Sequence, residues 1–190
     1  QATLNDIPLV LARSGWSKQD GFELYLLDPS RGTELWETVK AAGASFGIGP
    51  GAPNDAERLE SGLISYGADM RWQTHRTNPF EMGFGRWLDL DGPHEFIGRA
   101  ALKQIESEPI TRVRVGLKFS DNPTPPGHPV PLLSKGDEVG FVAEFARSKR
   151  LGATIGVGLI RSELAQTGLA VEVGLGDQVV AANLAEIPFV

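Results

Sequence analysis

Apolar positions early in the chain fall into two short runs parted by a polar stretch. Pro8 to Arg13 and Phe22 to Leu27 read as strands flanking a Ser17–Gly21 turn, because short apolar runs bounded by Gly, Asp and Ser are strand signals. The long polar connection predicts an irregular hairpin rather than a tight two-residue one. Asp28-Pro29-Ser30 then ends the second strand. Three helical patterns follow. Leu35, Trp36 and Val39 form the stripe of a helix from Thr33 to Ala42, with Gly43 as its stop. A second helix is predicted from Pro53, a first-turn residue, to Gly67, with Ala56, Leu59 and Leu63 on one face. A third runs from Ile97 to Glu106, where Ile97, Ala101 and Ile105 repeat every fourth residue. Between the last two lies a Pro/Gly/aromatic stretch, Arg71 to Pro93, with a strand-like Gly85 to Leu90.

The period changes after Pro109. Val113, Val115, Leu117 and Phe119 alternate with polar neighbours, as in a half-buried strand. Val139 to Phe145, Thr154 to Ile160, Leu169 to Val173 and Val179 to Ile187 follow at regular spacing. Short strands punctuated by Gly, Pro, Asp and Ser predict a small antiparallel barrel or sandwich. The expected fold is therefore α+β, a mixed α/β domain over residues 1–110 followed by a β-domain over 111–190.

Composition narrows the function. The 190 residues are 41% hydrophobic with a net charge of −6, which allows a core and gives no clustered basic face for nucleic acid. Cysteine is absent, so no disulfide and no thiolate metal site can form. His75, His94 and His128 are scattered, none with a partner at i+4, and no metal is expected. No apolar run approaches the roughly 20 residues of a membrane helix, and no signal peptide is visible, so a soluble cytoplasmic protein is expected. The opening Gln1-Ala2-Thr3-Leu4 lacks a Met and enters an apolar run quickly. It reads as the interior of a longer protein.

Four motifs bear on chemistry. Gly47-Ile48-Gly49-Pro50-Gly51 matches no phosphate-loop spacing, and Pro50 removes an amide donor, so a connector with unusual backbone angles is expected. Glu57, Arg58 and Glu60 are surface charges or fix the helix against the sheet. In Asn78-Pro79-Phe80-Glu81, Glu81 is placed to accept from backbone amides or from Arg58 or Arg86 as a loop latch. The most informative stretch is Gly15-Trp16-Ser17-Lys18-Gln19-Asp20-Gly21-Phe22-Glu23-Leu24-Tyr25. On a strand, Glu23 and Tyr25 point the same way, and Trp16 lies just before the turn. A carboxylate between two aromatics suits a flat, nitrogen-rich ligand, and a pterin offers it an adjacent amine and ring N–H. Trp16 can attract a cation through its ring face. The alternative is that both aromatics are packing residues and Glu23 is strand surface.

These residues resemble the glycine-cleavage T-protein superfamily of folate-dependent one-carbon transferases. The resemblance rests on Ala12 to Ser17 with Gly21-Phe22-Glu23, on Arg58-Leu59-Glu60 with Gly62-Leu63 and Tyr66-Gly67, on Asn78-Pro79-Phe80-Glu81, and on Phe96-Ile97-Gly98 with Ala101-Leu102. Gly136 to Gly140, Leu151-Gly152 and Ile187-Pro188-Phe189 fit its C-terminal barrel. Within the superfamily, Ser14 to Gln19, Phe22 to Tyr25, Gly47 to Gly51 with Pro53-Asn54, and Thr77 to Glu81 are most similar to the dimethylsulfoniopropionate demethylases. The resemblance implies methyl transfer from a sulfonium to tetrahydrofolate as acceptor. Carried over at matching positions, Trp16 would contact the small-molecule methyl donor, Glu23 would hold the pterin, and Tyr25 would line the same pocket. Two positions depart from the patterns. Asn54 stands where aminomethyl-processing T-proteins have Arg, and Asp20 where the demethylases have glycine. The iron–sulfur-assembly branch carries a signature cysteine that this chain lacks.

Family chains are longer, so the resemblance implies a C-terminal half whose catalytic groups lie on an absent N-terminal part. That part is an expected partner, and an apolar patch left open by it would drive self-association. Three functions stay in view: sulfonium demethylation, one-carbon transfer from another donor, and folate binding without chemistry.

Overall fold

In the computed structural model, which describes residues 1–52, 54–71 and 73–190, the chain opens with a tight hairpin absent from the expectation above. Asn5 and Asp6 both have positive φ, 47° and 59°, between the paired Leu4 and Ile7. Left-handed backbone at both central positions defines the turn that best fits twisted strands, and Asn and Asp tolerate it. It joins β1 (Ala2–Leu4) to β2 (Ile7–Ala12), and β3 (Glu23–Leu26) completes an antiparallel sheet in the order β1-β2-β3. The helix α1 (Gly32–Gly43) follows. Gly43 is not its terminator. The chain continues as a tight turn through Phe46 and stops at Gly47, whose φ is 72°. Gly43 serves close approach instead, since a Cβ there would meet the Ile48 side chain at 2.4 Å. These elements belong to one compact unit, Gln1–Asn54, and the rest to a second, Asp55–Val190.

In the second unit α2 is only Asp55–Glu60. Pro53, its expected start, lies outside the described residues. Gly62, at φ 67°, ends it, so Leu63 falls beyond the helix rather than on its face. The helix α3 (Arg99–Glu106) begins after Gly98, at φ 94°. Ile97 is therefore not part of its stripe and is fully exposed. Residues Gly85–Trp87 form a single tight turn in place of the strand expected from 85 to 90.

The C-terminal strands are β4 (Arg112–Phe119), β5 (Val130–Ser134), β6 (Asp137–Ser148), β7 (Ala153–Arg161), β8 (Ala170–Leu175) and β9 (Gln178–Ala185). They form a closed barrel in the order β4-β7-β6-β5-β8-β9, and pairing of β4 with β9 closes it. Alternation sends Leu117, Phe119, Val130, Leu132, Val142 and Phe145 into one buried core. Sequence pattern alone missed β5, because Pro129 and Pro131 bracket Val130 and prolines argue against a strand.

Residues 55–71 and 73–84 pack on the barrel's outer wall, which is why the composition change near 110 falls inside the second unit. Leu59 packs with Ile155 and Val157, and Met82 with Phe141 and Leu159. Arg58 and Glu60 are not surface charges. Arg58 is fully buried, and its Nη1 donates to both oxygens of buried Asp69 at 3.0 and 2.9 Å and to the Leu63 carbonyl at 3.1 Å. Glu60 Oε1 accepts from Ser148 Oγ of β6 at 2.6 Å. The 78–81 loop is a latch. Asn78 Oδ1 accepts from the amides of Phe80 and Glu81, and Glu81 Oε2 accepts from the amide of Asn78. The arginine that Glu81 engages is neither Arg58 nor Arg86. It is Arg112 of β4, whose Nε donates to Glu81 Oε1 at 2.8 Å.

Two outcomes follow for stability. A Cβ on Gly158 would lie 2.2 Å from the Phe141 carbonyl oxygen across the β6–β7 pair. Gly158→Ala is therefore expected to lower the urea unfolding free energy by about 1–3 kcal/mol, the usual cost of overpacking, whereas an unchanged midpoint would contradict that close approach. The second concerns Glu144 on β6, whose Oε2 lies 3.7 Å from Arg71 Nη2. Burial pushes its carboxyl above the usual range, Asp55 and Asp69 add to this, and Arg58 and Arg71 oppose it. The folded state then binds the proton more tightly than the unfolded chain does. Its stability contribution is full below the unfolded carboxylate value and is lost as pH rises through the folded one. Glu144→Gln should stabilise the protein at neutral pH and lose that advantage towards about pH 4. A stability difference between the two proteins that does not vary with pH would contradict it.

Candidate functional site

Antiparallel pairing fixes which side chains emerge together in the first unit. Ala12 lies opposite Glu23 and Val10 opposite Tyr25, while Leu11 faces Leu24 and Leu9 faces Leu26. Directly paired residues share a face. One face of β2–β3 is therefore aliphatic, and the other carries Glu23 and Tyr25 above Ala12 and Val10. Both Glu23 and Tyr25 are exposed, whereas Leu24 and Leu26 are partly buried. The period-two reading of these two residues matches their placement. Small Ala12 and slender Val10 leave the carboxylate and the phenol as the tallest groups on that face.

Loop residues orient the carboxylate. Ser14 Oγ donates to Glu23 Oε2 across the base of the connection between β2 and β3. An ionised carboxylate offers about four acceptor sites, so this bond sets the orientation of Glu23 without exhausting it. Arg13 pairs with Asp20 and places its guanidinium 5.4 Å from the centre of the Phe22 ring. Asp20, the residue that departs from the demethylase pattern, thus has a local partner that ties the two ends of the loop. Trp16 lies within that loop, 39% exposed. The sequence placed Ser14 in a family motif but gave no sign of its contact with Glu23, which depends on how the residues between them fold.

A cavity of about 380 Å³ opens elsewhere in this unit, between Trp36, Val39 and Lys40 of α1 and residues 48–51. Trp16, Glu23 and Tyr25 do not line it. Sequence pattern assigned Trp36 to the apolar stripe of α1, and the structure leaves it about half exposed. The signal available was the i, i+4 spacing of Trp36 and Lys40, which stacks an aromatic and a cation on one helix face.

In the second unit two basic groups are perturbed by burial. Burial lowers the pKa of Arg114, whose Nη2 donates to the Gly62 carbonyl at 3.1 Å. Burial likewise lowers the pKa of His75, whose ring centre lies 4.4 Å from that of Phe141. Among the described residues no cluster of three or more His, Cys, Asp or Glu side chains is placed to hold a metal ion. No helix among them is long and apolar enough to cross a membrane.

Comparison with known proteins places this architecture. The family model described as the GCVT N-terminal domain matches residues 1–92, and that of the glycine cleavage T-protein C-terminal barrel domain matches residues 112–190. The dimethylsulfoniopropionate demethylase DmdA of Ruegeria pomeroyi is 40% identical over 87% of this chain and 45% of its own length. An aminomethyltransferase of Halothermothrix orenii is 30% identical over 99% of this chain and 52% of its own. The crystal structure of the glycine cleavage system aminomethyltransferase T from Bartonella henselae superposes with a TM-score of 0.74 at 23% identity, covering 95% of this chain and 49% of that one. The chain spans about half the length of the curated relatives it matches. With both models matched in order, a closed barrel where the second describes one, and a relative 40% identical over 87% of the chain, the chain belongs to the glycine-cleavage T-protein superfamily.

Proposed function

We propose that this chain carries the pterin-holding face of a tetrahydrofolate-dependent methyltransferase whose donor is a sulfonium, dimethylsulfoniopropionate. The observation that carries the proposal is the shared face of Glu23 and Tyr25 on β3, with Ser14 orienting the carboxylate. The 40% identity to a dimethylsulfoniopropionate demethylase supports the choice of donor. The family models stop at residue 92 and resume at 112, which supports a boundary near 110 between the folate-holding part and the barrel.

The chemistry asks little of acids and bases. A sulfonium methyl is electrophilic, and its sulfur leaves as a neutral thioether. The folate nitrogen attacks the methyl carbon, the new N–C bond forms as the S–C bond breaks, and the nitrogen releases its proton to solvent water. Alignment of donor and acceptor then accounts for much of the acceleration. In this assignment Glu23 accepts from the pterin amine and ring N–H, Tyr25 lines the ring, and Trp16 faces the sulfonium charge. No catalytic group is assigned on this chain. A second reading, aminomethyl transfer, is favoured by the aminomethyltransferase relative matched along 99% of the chain and disfavoured by Asn54.

The test is a pair of substitutions in the protein that contains this chain. Glu23→Ala is expected to weaken tetrahydrofolate binding by roughly ten- to a hundredfold, the loss of charge-assisted hydrogen bonds worth about 1.5–3 kcal/mol. Trp16→Leu is expected to raise KM for the sulfonium by roughly two- to thirtyfold while leaving folate affinity alone. Undiminished tetrahydrofolate binding by Glu23→Ala would remove Glu23 from the site. Turnover of an aminomethyl or aryl-methyl donor with none from the sulfonium would replace the donor.

A further inference from the structure

We propose that the cavity between α1 and residues 48–51 binds a small planar aromatic carboxylate, independently of the folate-holding face. The chain after α1 folds back against the helix end. Gly47 turns the chain at φ 72°, the Ile48 amide donates to the Gly43 carbonyl at 3.2 Å, and the absence of a Cβ on Gly43 lets the Ile48 side chain fold over the helix end. Residues 48–51 are thereby held beside the helix, and a cavity of about 380 Å³ remains between the two walls. That volume lies at the low end for small-molecule sites and suits a ligand of one or two rings.

The walls specify the chemistry. Trp36 contributes an indole face, and Val39, Ile48 and Pro50 contribute aliphatic surface. These favour a flat apolar body. The cationic group is Lys40, one helical turn beyond Trp36 and so on the same face. Its ammonium lies 3.7 Å from the Glu37 carboxylate, and both side chains are more than half exposed. Such a pair is weak and solvent-screened, so a ligand carboxylate seated against the apolar wall can displace it. A Cβ on Gly49 or Gly51 would meet no atom within 4 Å, so the space beside both is open to a ligand. An apolar plane meeting one cation matches an aromatic acid better than a neutral hydrocarbon or an aliphatic dianion.

Calorimetric titration of the protein with 4-methylbenzoate and its neutral isostere 4-methylbenzamide tests this. The acid is expected to saturate at about millimolar concentration, as a ligand of ten heavy atoms should, and the amide to bind about five- to tenfold more weakly. Lys40→Gln should abolish the preference for the acid, and Trp36→Leu should weaken both ligands. Both replacements keep good helix formers in α1, and circular dichroism checks the fold. Glu23→Ala should leave acid binding unchanged, which separates this site from the folate-holding face. Absence of saturation by the acid, or equal acid affinity in the wild type and Lys40→Gln, would overturn the proposal. A loss of acid binding in Glu23→Ala would move the ligand to β3 and overturn it equally.

Discussion

The β2–β3 register is the constraint on which the functional account rests. Strand side chains alternate, so a slip of one residue would send Glu23 and Tyr25 to the aliphatic face and bring Leu24 and Leu26 into their place. The aliphatic residues of β2 and β3 resist that slip, since Ile7 and Leu9 are buried and lie on the face shared with Leu26. Hydrophobic patterning on one side of the sheet therefore determines the chemistry displayed on the other. Ser14 and the Arg13–Asp20 pair then act on a face already chosen by register, setting the angle of one carboxylate and closing the loop that carries Trp16.

The second unit uses a different device. A closed barrel has no free edges, so the segment from α2 through the 78–81 loop attaches to its outer wall with side chains and single backbone bonds. The Phe189 amide donates to the Glu60 carbonyl, and the Arg114 amide to the Glu81 carbonyl, both at 2.9 Å. Apolar contacts flank a buried charge network around Arg58 and Asp69. Buried ion pairs add little net stability over apolar replacements, yet removing one partner costs about 3–5 kcal/mol. The network therefore commits the segment to one seating on the barrel wall.

Much of this was legible in the sequence where a single periodicity governs an element. Short apolar runs and their punctuation revealed β2, β3 and four of the other five barrel strands, alternation revealed β4, and the period of a strand put Glu23 and Tyr25 on one face. What escaped was set by single residues or by distant partners. The first hairpin hung on left-handed backbone at Asn5-Asp6. The length of α2 hung on Gly62, and the turn that follows α1 stops at Gly47 rather than Gly43. Prolines concealed β5, although it is held on both sides by β6 and β8. Arg58 read as either a surface charge or an anchor of the helix on the sheet, because nothing local announces that Asp69, eleven residues on, will meet it in the interior. Arg112 reaches Glu81 across 31 residues, a pairing that only the barrel brings about. Ser14 escaped for the same reason at shorter range.

Mapping amide and indole NMR shifts during titration with tetrahydrofolate tests the assignment of the β3 face most directly. The account predicts saturable changes concentrated at Ser14, Trp16, Glu23 and Tyr25, with the barrel strands undisturbed. Saturable changes centred away from β3, with those four residues unmoved, would contradict it.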